Sequence, residues 1–114
     1  MALLNDLLVQ RTPPANLEAE RAVLGALLLD RTQISRVVDR LRVQDFYLER
    51  HRKIYGVMLD LFQRDQASDL LTVSEGLRVK GELEEAGGPA MLAGLADEAA
   101  LRTSRDNVHR PGVK

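Results

Sequence analysis

The stretch Asn16-Leu17-Glu18-Ala19-Glu20-Arg21-Ala22-Val23-Leu24-Gly25-Ala26-Leu27-Leu28-Leu29-Asp30 decides the fold. Asn16 suits a helix N-cap, because its side-chain oxygen accepts a first-turn backbone N–H. Glu18 and Glu20 follow in the first turn, where carboxylates complement the positive end of the helix dipole. From Ala22 to Leu29 the sequence is apolar on every side of a 3.6-residue repeat. A helix without a polar face belongs inside a bundle, not on its surface. Gly25 lowers helix propensity, and its place there predicts close approach by a neighbouring helix. Leu24 and Leu28, four residues apart, are both expected in the core.

On the N-terminal side, residues 1–15 read as a flexible lead-in stiffened by Pro13-Pro14, which holds the preceding residues extended. On the C-terminal side, Asp30 and Thr32 close the first helix and open a second. Ile34, Val37, Val38 and Leu41 recur there at i, i+3, i+4 and i+7. Asp45-Phe46-Tyr47 forms a connector, and a third helix is predicted from about Glu49 to Gln63, with Ile54, Met58, Leu61 and Phe62 on its apolar face. After a polar turn at Arg64 to Ser68, Thr72-Val73-Ser74-Glu75 fits a capping box. The fourth helix that it starts carries Val73 and Leu77 inward and stops near Gly81. Pro89 suits the first position of a fifth helix, whose stripe is Met91, Leu92, Leu95 and Ala96. A sixth is expected to start at Ser104 and to fail at Pro111-Gly112. No alternating strand pattern occurs. The predicted fold is all-α, a compact bundle of about six short helices over residues 16–103, with a truncated hairpin or linker at 104–114.

Composition agrees. A chain of 114 residues fits one small domain, and its 45% apolar but only 4% aromatic content favours aliphatic packing between helices. Cysteine is absent and there are two histidines, His51 and His109, which argues against thiolate or histidine metal clusters. A net charge of −1 is unlike an electrostatic nucleic-acid binder. The charge is nevertheless uneven: residues 36–53 hold six Lys/Arg against three Asp/Glu, and residues 54–99 hold nine acids against three bases. Such blocks read as solvated faces or as complementary docking patches. The run Ala22–Leu29 is too short to span a bilayer. The N-terminus lacks the basic and apolar regions of a signal peptide, so a cytoplasmic protein is expected.

Catalytic constellations are missing. Gly76 to Gly81 has the glycine spacing of a phosphate-binding loop, but Glu82 stands where that loop needs lysine. Gly87-Gly88-Pro89 reads as a turn, since proline has no N–H for an anion. Asp60, Asp65 and Asp69 are spaced too widely for an EF-hand. His51, between Arg50 and Arg52, reads as a surface residue and not as a general base. The linker between the second and third helices is long for a helix-turn-helix. Arg50, Arg52 and Lys53 remain candidates for weak phosphate contact.

Three segments, taken in order, resemble the N-terminal domain of DnaB-type replicative helicases. They are Pro13-Pro14 through Leu17-Glu18-Ala19-Glu20 to Val23-Leu24-Gly25; Asp45-Phe46-Tyr47 with His51 and Ile54-Tyr55; and Asp69-Leu70-Leu71-Thr72-Val73 with Gly81-Glu82-Leu83 and Gly87-Gly88. Their order and spacing agree over residues 13–97.

The resemblance implies a parent that is an ATP-driven hexameric ring unwinding DNA at the bacterial replication fork. Its motor, with ATP and Mg²⁺, would be a C-terminal domain absent from this chain, and DNA would be held mainly there. No cofactor is implied for this region. Its implied partners are primase and the other helicase subunits, with no membrane. Glu18 and Met91 fall at positions that face primase in the family, although Met91 departs from the usual aromatic. The family continues into a helical hairpin that supplies much of the pairing surface. Ser104-Arg105-Asp106-Asn107-Val108 resembles its first turn, and Pro111-Gly112-Val113-Lys114 departs from it. Alternative readings are the helicase-binding domain of a primase, similar in fold, and a small helical DNA-binding regulator.

Overall fold

The structure is a computed structural model that describes residues 16–107, with side chains through Arg102. The lead-in with Pro13-Pro14, His109 and the departure at Pro111–Lys114 lie outside the described residues. Among them there are five α-helices, two short 3₁₀ turns and no strand. The helices are α1 (Leu17–Leu29), α2 (Ile34–Val37), α3 (Glu49–Gln63), α4 (Leu70–Val79) and α5 (Gly88–Asn107). The 3₁₀ turns are Arg31–Gln33, leading into α2, and Val43–Asp45, leading to α3.

α1 occupies the centre, as its all-round apolar sequence requires. Asn16 Oδ1 accepts the Ala19 N–H at 3.0 Å, which caps the first turn. Val23, Leu24, Leu27 and Leu28 are buried, and α5 packs along α1. Gly25 allows that packing. A Cβ there would collide with the Leu95 carbonyl oxygen and lie 3.1 Å from the Ala99 methyl. The ion pair Arg21–Glu98, at 3.5 Å, fixes the same antiparallel register. From α3, Ile54, Tyr55 and Met58 complete the core, and α4 adds Val73 and Leu77. α2 is a single turn whose Ile34 and Val37 join the same cluster.

Four local expectations change. Thr72 is not an N-cap: α4 begins three residues earlier, at Asp69. Asp69 Oδ1 accepts the Thr72 N–H and Thr72 Oγ1 accepts the Asp69 N–H, both at 2.9 Å, which is a reciprocal box of the kind expected one turn later. An aspartate cap carries charge to the dipole and is preferred over threonine. Glu75 instead pairs with Arg78 on the surface. No separate helix starts at Ser104. α5 runs unbroken to Asn107, because no glycine or proline interrupts it between Gly94 and that end. Phe62 is exposed, while the α3 stripe continues through Val57. The fourth change concerns His51 and Glu20, described below. The expected stop at Gly81 is present: α4 ends at Val79 and Gly81 takes φ +74°, which suits glycine.

Candidate functional site: a buried acid–histidine clamp and the faces it positions

Glu20 sits one turn after the Asn16 cap, among Ala19, Val23 and Leu24. Its position belongs to the apolar stripe Glu20, Val23, Leu24, Leu27, so the helix turns it inward. His51 occupies the corresponding place on α3, at the head of His51, Ile54, Tyr55, Met58. Both are buried. Glu20 Oε1 lies 2.7 Å from His51 Nδ1, and Glu20 Oε2 accepts the Tyr47 backbone N–H at 2.5 Å. One carboxylate thus ties α1 to both the connector and α3. The reading of His51 as a surface residue is overturned, and Glu20 is a clamp, not a solvent-facing dipole partner. The available signal was the spacing: each polar residue heads an i, i+3, i+4, i+7 apolar series.

Burial holds His51 below its ordinary value of 6.5, against the opposing hydrogen bond and charge of Glu20; Arg50 and Arg21 lower it further. A neutral imidazole donating from Nδ1 fits this environment. Nε2 is buried with no hydrogen-bond partner among the described residues, and an unpartnered lone pair there avoids stranding a second N–H. Phe46 meets the imidazole edge-on, with centroids 6.3 Å apart, and stacks obliquely on Tyr55 at 5.1 Å. The Tyr55 hydroxyl donates to the Leu41 carbonyl at 2.8 Å, and burial, with the Asp45 charge, pushes its pKa up to about 12. Arg52 Nε donates to the Phe46 carbonyl at 2.6 Å. Asp45-Phe46-Tyr47 is therefore a pinned corner.

The basic series does not form one solvent-facing patch. Arg50 is exposed, with no ion pair among the described residues. Arg52 is held by Phe46 and Glu49. Lys53 Nζ lies 3.6 Å from Glu49, 3.6 Å from Glu82 and 3.2 Å from Glu85, so it bridges α3 to the connector before α5. The Glu85 hydrogen bond, above all, holds its ammonium above the ordinary range.

Glu18 is exposed, with no ion pair among the described residues. Met91 is half-buried against the core, and a Cβ on Gly87 would crowd its Cγ at 2.6 Å. The register set by Gly25 and Arg21 puts Met91 beside the C-terminal end of α1, and Glu18 at the other end. At 1.5 Å per residue the two lie roughly 15 Å apart along the pair. They belong to separate ends of one surface and do not meet in a single pocket. Among the described residues no cluster of three His, Cys, Asp or Glu could hold a metal ion, and no helix is long and apolar enough to cross a membrane.

Comparison with known proteins gives concordant matches. The family model described as DnaB-like helicase N terminal domain matches residues 12–108. The replicative DNA helicase DnaB of Rhodothermus marinus is 42% identical over 90 residues, covering 79% of this chain and 10% of that protein. The corresponding helicase of Geobacillus stearothermophilus is 40% identical over 94 residues, covering 82% of this chain and 21% of that protein. This chain thus spans only about a tenth and a fifth of the lengths of those two curated relatives. In three dimensions it is similar to the crystal structure of the N-terminal domain of DnaB helicase from Mycobacterium tuberculosis. The TM-score is 0.71 at 40% identity, over 75% of this chain and 60% of that one.

Proposed function

Because this chain belongs to the DnaB-like helicase N-terminal domain family, we propose that it is the collar of a bacterial replicative helicase, a docking module that supports ring assembly and primase binding. The family match over residues 12–108 carries this reading. The interior supports it as well: the buried polar groups of the clamp serve the backbone, which suits a rigid scaffold with function on its outer faces. In this proposal unwinding, ATP and Mg²⁺ belong to protein beyond this chain, DNA is engaged mainly there, and the assembly is a cytoplasmic hexamer.

Glu18 is the residue best suited to test docking. It is charged, exposed and unneeded by the core, and its local role at the helix dipole is worth only about 0.3–1 kcal/mol. The experiment measures binding of a bacterial primase's helicase-binding domain to the wild-type chain, to Glu18→Lys and to Met91→Ala, with thermal melts of each. Weakened binding by Glu18→Lys at nearly unchanged melting temperature is expected. Unchanged affinity with a lowered melting temperature would make Glu18 structural and sink the docking role.

A further inference from the structure

The corner between α2 and α3 presents an aromatic ring and two cations to solvent. Tyr47 is 55% exposed, whereas its neighbour Phe46 is buried. The peptide joining these two residues is held at both ends. Glu20 accepts its N–H, and Arg52 donates to its carbonyl. A tyrosine on a pinned backbone loses little freedom on contact, because only its two side-chain torsions remain to be fixed. Arg50 follows in the first turn of α3, and Arg42 precedes the 3₁₀ turn Val43–Asp45. Both arginines are exposed, with no ion pair among the described residues.

The acids around this corner are already engaged. Asp45 Oδ2 accepts the Arg42 backbone N–H at 2.8 Å. Glu49 lies 3.6 Å from both Arg52 and Lys53. Glu20 is buried in the clamp. Glu18 stands two residues from Glu20, about 200° round α1, and faces away from the corner. The three groups are also close together. The Arg42–Asp45 hydrogen bond keeps those residues adjacent, with Tyr47 two residues on. Arg50 is three residues past Tyr47, a span of at most about 10–11 Å even when extended. An exposed ring flanked by unpaired cations fits a flexible polyanion that has planar faces. Single-stranded nucleic acid offers both, since a base can stack on the ring while phosphates meet the guanidinium groups. A duplex hides its base faces, and an acidic peptide has none. With two arginines in a chain of net charge −1, such a contact is weak and sensitive to salt.

We propose that the Asp45-Phe46-Tyr47 corner is a contact site for single-stranded nucleic acid, with a base stacked on Tyr47 and phosphates held by Arg42 and Arg50. This site is separate from the docking role of Glu18 and Met91 and depends on neither primase binding nor ring assembly.

The experiment titrates the full chain into a dye-labelled oligothymidylate at low salt and follows anisotropy. Binding is expected, tighter than to a duplex of the same length or to an oligoglutamate. Tyr47→Ala should weaken it about fivefold or more, whereas Tyr47→Phe, which keeps the ring, should not. Arg42→Gln and Arg50→Gln should each reduce the slope of log affinity against log salt by about 0.7. In the ¹⁵N-labelled chain, amide shifts on adding the oligothymidylate should concentrate in residues 42–50, and the remaining amides report that each variant is folded. No binding at low salt overturns the proposal, as does unchanged affinity in Tyr47→Ala. Equal or tighter binding of the duplex or the oligoglutamate also overturns it, because the surface would then read charge alone. Shifts confined to other residues put the contact elsewhere and overturn it as well.

Discussion

Glu20 Oε1 and His51 Nδ1 are 2.7 Å apart, both residues lie in the interior, and the other oxygen of the same carboxylate holds the Tyr47 N–H. Three segments distant in sequence meet at one side chain. Glu20→Ala would leave two donors without an acceptor, the buried His51 Nδ1–H and the part-buried Tyr47 N–H. Each stranded group costs about 1–3 kcal/mol, so the variant should lose roughly 2–5 kcal/mol in urea unfolding. Glu20→Gln keeps one acceptor oxygen and should lose less. Equal losses for the two variants, or a loss for Glu20→Ala under about 1 kcal/mol, would mean that the carboxylate does not bind both donors as described.

The same pair gives stability a pH dependence. His51 titrates below its ordinary 6.5 in the folded chain, so the unfolded chain takes up its proton first as pH falls. Between the two values the unfolded state binds more protons, and stability rises with pH. The full contribution is present above pH 6.5 and is lost as pH falls through the lower, folded value. Asp30, held down mainly by its Thr32 hydrogen bond, and Asp69, held down mainly by the Thr72 backbone, add a second loss below their ordinary 3.8. Urea midpoints from pH 7 downward should show the first slope beginning near 6.5. His51→Gln should flatten that upper slope. A slope that persists unchanged in His51→Gln would show that His51 is not its source.

Glycine-to-alanine substitutions should differ in sign along the helices. Gly56 and Gly94 are helical with open space where a Cβ would go. Alanine there should stabilise by about 0.5–1 kcal/mol. At Gly25 the same change drives a methyl into the Leu95 carbonyl and against Ala99, and α5 must move away from α1. Thermal melts should therefore fall for Gly25→Ala and rise for the other two. A rise for Gly25→Ala would show that the α1–α5 contact is looser than described.

Capping of α4 separates two sequence readings experimentally. With Asp69 as the cap, Asp69→Ala should cost about 1 kcal/mol. Glu75→Ala should be close to neutral, because the ion pair of Glu75 among the described residues is with the exposed Arg78. If Glu75→Ala proved the more damaging change in denaturant melts, the box at Thr72 to Glu75 would be the real start of the helix.

Leu24 has no solvent exposure, at the middle of the central helix. Leu24→Ala removes buried methyl groups and leaves a cavity, with an expected cost of about 2–5 kcal/mol. A loss well below 1 kcal/mol would mean that the neighbours collapse to fill the space, and that α1 is not the packing centre.

Sequence alone placed α1 and α3 and most of the inward-facing residues, but not the start of α4, the length of α5 or the exposure of Phe62. The bounds of α3, the burial of Leu24 and Leu28, the stop at Gly81 and the reason for Gly25 follow from periodicity and from the backbone preferences of glycine and asparagine, which act within a few residues. The three family segments were legible for the same reason, as fixed residues at fixed spacing. Tertiary structure decided what depends on partners far along the chain. His51 has arginines on both sides and reads as surface; only the arrival of Glu20, thirty-one residues away, makes its burial affordable. Lys53 reads as a free cation until folding brings Glu82 and Glu85 to it. Asp69 and Thr72 offered two local caps of similar chemistry, and α4 takes the cap at Asp69. A polar side chain in an apolar stripe is ambiguous by itself, because its cost depends on a hydrogen-bond partner that sequence distance does not reveal.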